Sequence, residues 1–407
     1  MSLGRYQRLR TAWFGFALFV LWLIKGHTVY AESQKEQNEI ATLESLLVSV
    51  PDRAMVLYLL AQDYAAIGQR AKALALLKES ASSHEGINPS NDTAFRDLRS
   101  IPEFRVIVSE VEHQYQPVHR AQTKIKLTEN DLFPEGLAFD TTENAFYLSS
   151  LLHKKIVKFN FDGTSQEFGP RHSEDLLPIC GVQVAQQDQS VWAAGCDESG
   201  KGELYRFNRM GELQERVVPA ESGQHLLNDL AFVGDSLIYV TDSLASRVYC
   251  FDRNAHTFTA LSFPRPLYYP NGIAVSADSK TLYIADAFGI FRYDREADVA
   301  SELNRGVSNT LGGFDGLYWY HGDLVGVQNG IGLPRIVRVA LSANGIDVQG
   351  IEVLEYRSTH VALPTTGVLK GSQFYFVENT QLDNLKMGRI LNKKKLQPIR
   401  IGVVDLR

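Results

Sequence analysis

Two periods of hydrophobic spacing divide the chain. From about Glu36 to Glu112 apolar residues recur at helical intervals: Leu43, Leu46 and Leu47, then Leu57, Leu60, Ala61 and Tyr64. Pro51 and Asp52 punctuate the first pair of helices, and Gly68 sits in the loop before 71–78. Leu60, Ala61, Tyr64, Gly68, Ala73 and Leu77 have the size order and spacing of one tetratricopeptide helix pair. A single such unit cannot bury both of its faces. It is therefore expected to pack on the downstream chain, including Phe95, Leu98 and Phe104, as a helical cap on the main domain. The alternative is a docking module for a partner peptide.

From Thr123 onward the period switches to short apolar runs separated by Asp/Gly/Asn turns. One phrase recurs: a small polar start, an apolar strand, a polar turn and a second strand. The starts are PEGLAF at 134, ICGVQV at 179, LNDLAF at 227, PNGIAV at 270, FDGLYW at 314 and TTGVL at 365. The second strands read AFYLSS, SVWAAG, SLIYVTD, TLYIAD, DLVGVQN and QFYFVEN. Taking the second residue of each start, the intervals are 45, 48, 43, 44 and 51 residues. Four-stranded units at that spacing predict a mainly β fold, a six-bladed β-propeller over 123–407, preceded by the small helical segment of 32–118. The strand 124–127 precedes the first unit and is placed to close the ring against the last blade.

Rotation about the propeller axis brings the six start residues together beside the central channel: Glu135, Cys180, Asn228, Asn271, Asp315 and Thr366. Four of them carry oxygen donors, two carboxylates and two amides. That is hard-cation chemistry, with calcium as the candidate and another divalent cation as the alternative. Soft metals are disfavoured, because no His or Cys cluster shares the phase. Glu135, Asn228, Asn271 and Asp315 are the candidate ligands. Cys180, Thr366 and His225 are the candidate substrate contacts, His225 lying three residues before Asn228 as a proton shuttle or a solvated loop residue.

Composition narrows the picture. The 407 residues are 44% hydrophobic and 22% charged, ordinary for a folded soluble chain and unlike disorder or a multi-span membrane protein. Arg5, Arg8 and Arg10 precede a charge-free stretch over 11–24, and Val29, Tyr30 and Ala31 resemble a cleavage site. This predicts a secretory signal over 1–31, or an uncleaved membrane anchor of the same topology, and a periplasmic or secreted protein. Four of the 41 basic residues and none of the 47 acidic ones lie in that leader, leaving 37 against 47, a net of −10. An acidic exported chain suits cations and disfavours nucleic acid as a partner. Three Cys exclude a disulfide scaffold. Cys180 and Cys196 fall opposite each other across a hairpin, as a disulfide or as two buried thiols, while Cys250 is expected in the core.

The four ligand positions carry a resemblance. The chain from about 123 to 407 resembles the senescence marker protein/gluconolactonase/luciferin-regenerating enzyme superfamily, with its paraoxonase-like relatives. Glu135 in PEG is similar to that family's first-blade glutamate ligand. Asn228 in NDL and Asn271 in PNG are similar to its two asparagines, and Asp315 in FDG to its aspartate. The resemblance implies a six-bladed propeller with a channel calcium and calcium-dependent hydrolysis of a small-molecule lactone or ester. In that reading Asp315 serves as ligand and general base. Three positions depart from the family. Cys180 stands where paraoxonase-like enzymes carry a histidine, and Leu226 where gluconolactonases carry an arginine. Gly136 stands where a second calcium would take an acidic residue. A non-catalytic propeller, tied by its metal and binding a partner on its upper face, is the second reading. A strictosidine-synthase-like condensing enzyme is the third, and no glutamate can be placed as its base.

Overall fold

The computed structural model describes residues 40–50, 52–170, 175–306 and 309–407. The expected leader of 1–31 and Pro51 lie outside the described residues. Among those described, no helix is long and apolar enough to cross a membrane.

Six antiparallel sheets follow one another along the chain, each beginning with a strand at the axis. These innermost strands are Leu137–Asp140, Ile179–Val184, Leu227–Val233, Ile273–Val275, Phe314–Tyr320 and Gly367–Lys370. They touch in cyclic order, the sixth returning to the first, which closes a six-bladed β-propeller. The second strands of blades one, two and four, Ala145–Ser150, Val191–Cys196 and Thr281–Asp286, are buried along their whole length. Each is covered on both faces by neighbouring blades, so it reads as a continuous apolar run instead of alternating. Outer strands such as Thr257–Ala260 alternate between exposed and half-buried positions.

The ring is fastened by a strand from outside the repeat. Gln122–Lys126 pairs antiparallel with Arg400–Asp405, Ile125 opposite Ile401, so chain from before the first blade completes the last. Blade five is wider than the others. Its ten-residue strand Asp347–Tyr356 also takes Val118–His119 antiparallel and Asn304–Arg305 parallel. Blade six departs in another way. Its second strand, Gln373–Val377, and its third, Arg400–Asp405, are separated by 378–399, an excursion with its own small hairpin and two 3-10 turns.

The helical segment holds helices Arg53–Ala66, Arg70–Ser82 and Pro102–Gln114, a 3-10 helix Thr93–Leu98, and a helical stretch over 40–46. Asp52 caps the first long helix by accepting from Met55 N at 3.0 Å. Leu60, Ala61 and Tyr64 face Ala73 and Leu77, with Gly68 in the connecting turn at φ +79°. This core does not end with the helices. It runs on into Cys180, Leu226, Tyr269, Phe288 and Ile331 of blades two to five. The segment therefore sits on the face of the propeller where the channel opens. Asn88 fastens it there, donating N to Ile331 O at 2.9 Å and Nδ2 to the Tyr356 hydroxyl at 3.2 Å.

Candidate active site in the channel

The start motifs place their second residues at the axis because the next residue lets the inner strands approach. A Cβ on Gly181 would collide with Asn228 O of blade three. One on Gly272 would stand 2.6 Å from Asp315 O of blade five. Blade three carries Asp229 at this place instead, and its Oδ2 accepts from Ile273 N of blade four at 3.3 Å. Two of the start residues also arrive through an unusual turn. Phe133 and Tyr269, just before Pro134-Glu135 and Pro270-Asn271, adopt φ +51° and +52°. A bulky side chain in that region is strained, and both aromatics are buried.

A cavity of about 360 Å³ results, lined by Glu135, Cys180, Asn228, Asn271 and Asp315 from five successive blades. Its walls are otherwise largely apolar: Leu151, Leu177, Leu226 and Tyr269 from the propeller, Leu382 and Leu385 from the blade-six excursion. Asp197, Glu198 and Lys154 also line it.

The polar inventory is one-sided. Asn228 spends its Nδ2 on Ser243 Oγ at 3.1 Å, and Ser243 in turn donates to Pro270 O at 2.7 Å. Asn271 donates Nδ2 to Asp315 Oδ1 at 2.7 Å. Asn329, from the loop after the second strand of blade five, donates Nδ2 to Asp315 Oδ2 at 2.6 Å and to Pro364 O at 3.0 Å. Each amide turns an N–H to a protein acceptor, Asn329 using both of its own, and Asn329 Oδ1 is buried without a partner among the described residues. The Glu135 carboxylate accepts no hydrogen bond from a described residue, although its backbone N is fixed by Ser149 Oγ at 3.1 Å. The site is rich in acceptors and short of donors.

Its electrostatics reflect that imbalance. Burial alone pushes Glu135 up to about 7. Burial, then the Glu135 charge, drives Asp315 well above the usual carboxylate range, against the opposing pull of Asn329 and Asn271. Burial takes Asp229 to about 7. Cys180 is raised by its hydrogen bond with Cys196 and by burial. Both thiols are free and buried at the cavity wall. No three His, Cys, Asp or Glu side chains gather as a metal-holding group among the described residues. The donors here are two carboxylates plus amide carbonyls, which suit a hard cation over a soft one.

Two sequence candidates point elsewhere. His225 is buried, with Nδ1 2.6 Å from Asp242 Oδ2 and Nε2 3.0 Å from Glu221 O. Its bond to Asp242 raises its pKa and turns the ring away from the cavity lining. Thr366 lies 3.2 Å from the Tyr318 hydroxyl and is likewise outside the lining. The sixth blade contributes Leu382 and Leu385 from its excursion in place of its start residue. Sequence reasoning missed Asn329, which no repeat position marks. It also missed the excursion, whose signal was a sixth repeat lacking a third strand at the usual distance.

Comparison with known proteins places the fold and stops there. No family model matches the chain, and no curated protein matches it either. Among solved structures it is similar to a gluconolactonase from Xanthomonas campestris, at TM-score 0.51 and 15% identity over 70% of this chain and 89% of that one. It is also similar to a PQQ-bound aldose sugar dehydrogenase from Streptomyces coelicolor, at TM-score 0.50 and 13% identity over 71% and 99%. A catalytically inactive virginiamycin B lyase from Staphylococcus aureus, with quinupristin, matches at TM-score 0.50 and 16% identity over 71% and 99%. One propeller architecture thus serves a lactonase, a dehydrogenase and a lyase, so activity has to be argued from the site.

Proposed function

We propose that this chain is a calcium-dependent hydrolase of lactones or esters, acting on a small molecule at the channel and working outside the cytoplasm. The observation that carries the reading is the donor-poor set of oxygens in the channel. Half-buried Glu135 and buried Asp315 have no ion-pair partner among the described residues, beside three amides that each turn an N–H to another protein group. Isolated buried carboxylates are costly unless a proton or a cation neutralises them. Glu135, Asn228, Asn271 and Asp315 would hold calcium, or another hard divalent cation. When bound, such an ion supplies Lewis-acid polarisation of a carbonyl and acidification of water.

The chain's own residues do the rest. Asn271 and Asn329 clamp the two oxygens of Asp315, leaving the carboxylate oriented as a proton acceptor for an attacking water. Leu151, Leu177 and Leu226 offer an apolar bed for the acyl body. The proton taken at Asp315 would pass to the departing alkoxide as the ring C–O bond breaks. A second reading, a non-catalytic metal-tied propeller, is favoured by Cys180 and by the turned-away His225, since no histidine lines the cavity.

The deciding experiment is metal analysis of the purified chain with a screen of γ- and δ-lactones and aryl esters, run with calcium and with chelator. Hydrolysis lost in chelator and in Asp315→Ala is the expected result. A stoichiometric metal with no turnover would select the second reading. Turnover unaffected by chelator would end the metal proposal.

A further inference from the structure

A second and larger cavity, of about 650 Å³, lies outside the channel. It is bounded by the 3-10 helix Thr93–Leu98, the loop 329–334 of blade five and the excursion 378–399 of blade six. Arg96 and Arg99 stand on one wall, Lys394 and Lys395 on the other, and Asp383 is the single carboxylate among the described lining residues. Arg99 is set in place by donating to Asp92 O at 3.0 Å. Arg96, Lys394 and Lys395 have no ion-pair partner among the described residues.

Among the described lining residues Asp383 alone opposes an anion, and two of the wall asparagines are already engaged. Asn384 spends both ends of its amide on Asn392, and Asn379 does the same with Pro398 O and Arg400 N. Between the cations runs an apolar strip of Leu333, Pro334, Leu363 and Leu396, all partly exposed. The volume falls within the range of small-molecule sites, roughly 300–1,000 Å³. Four cations around one concave space raise the local positive potential, and salt screens it over a Debye length of about 8 Å at physiological ionic strength. An anion between them lowers that potential, and an apolar body covers the strip.

We propose that this cleft binds a small organic anion, a carboxylate or phosphate carried on an apolar chain. The site is separate from the channel and does not depend on the hydrolase reading. Asn329 lines the cleft while its amide holds Asp315, so the two cavities share a wall.

The test is calorimetric titration of the full chain, in chelator, with octanoate, octyl phosphate, octanamide and inorganic phosphate. At least one of the two amphipathic anions should bind ten or more times as tightly as octanamide and as inorganic phosphate. The tighter of the two identifies the head group. Arg96→Gln, and the pair Lys394→Gln with Lys395→Gln, should each weaken it at least tenfold. All three side chains are exposed, so these variants should keep the wild-type circular dichroism and melting temperature. Glu135→Gln, a change in the channel, should leave the affinity within twofold. Octanamide binding as tightly as both octanoate and octyl phosphate would overturn the proposal. So would cation variants that bind like the wild type, or loss of binding in Glu135→Gln, which would move the ligand into the channel.

Discussion

Two of the places where the chain withdraws carboxylates from water treat them in opposite ways. Where the helical segment meets blade five, Asp52 and Glu85 are buried with Arg305, at 3.5 and 2.6 Å, and Thr310 also bonds to Asp52. Charge is met by charge inside the protein, and the cluster fastens one part of the fold to another. In the channel, half-buried Glu135 and buried Asp315 sit with amides and largely apolar walls, and neither has an ion-pair partner among the described residues. Burial raises the carboxylates in both places. The difference lies in what completes them. The cluster carries its own counter-charge, whereas the channel pair has none among the described residues, which is what the metal proposal builds on.

The strongest way to break this comparison is Arg305→Met. Leaving Asp52 and Glu85 buried without their cation should cost about 3–5 kcal/mol in urea unfolding. A loss under about 1 kcal/mol would mean that the cluster does not need its arginine. The matching change in the channel should have the opposite sign. In chelator at pH 8, Glu135→Gln should stabilise the chain by about 1–2 kcal/mol, because it removes a buried charge that has no partner. Calcium should then raise the melting temperature of the wild type and not of the variant. A variant less stable than the wild type in chelator would contradict the reading of an uncompensated site.

The pH dependence gives a smaller effect. Burial raises Glu85 from 4.5 to about 7 and Asp92 from 3.8 to about 6. The folded chain therefore holds these protons more tightly than the unfolded one. Stability from this source is full below about pH 4 and is lost as pH rises through about 7. Melting curves of the double variant Glu85→Gln, Asp92→Asn should fall less steeply with pH over that window than those of the wild type. The smallest effect is expected at His225, whose Asp242 partner makes it a completed group. His225→Gln should leave any lactone or ester hydrolysis within about twofold, and a large rise in KM would return it to the substrate site.

Much of the fold was legible in the linear chain, for a reason visible in single residues. Gly136, Gly181, Gly272 and Gly316 recur because inner strands must approach, and the residue ahead of each is thereby aimed at the axis. That local rule repeats in sequence, so it marks four of the lining residues, and the regular blade spacing adds Asn228. The same rule does not bring Thr366 into the cavity lining, its hydroxyl lying 3.2 Å from that of Tyr318, and it has no bearing on His225, which Asp242 on the neighbouring strand holds.

The amino-acid sequence by itself determined the blade count, the phase of the motifs and the acidic character of the channel, because periodic signals need only neighbours along the chain. Tertiary structure alone decided where the helical segment sits, what Asn329 holds and which cations face one another across the second cleft. Those pairings join residues with no shared period, such as Asp52 with Arg305 and Arg96 with Lys394. They depend on how separate parts of the fold are brought together in space, which is set only once the ring has closed and the helical segment has docked.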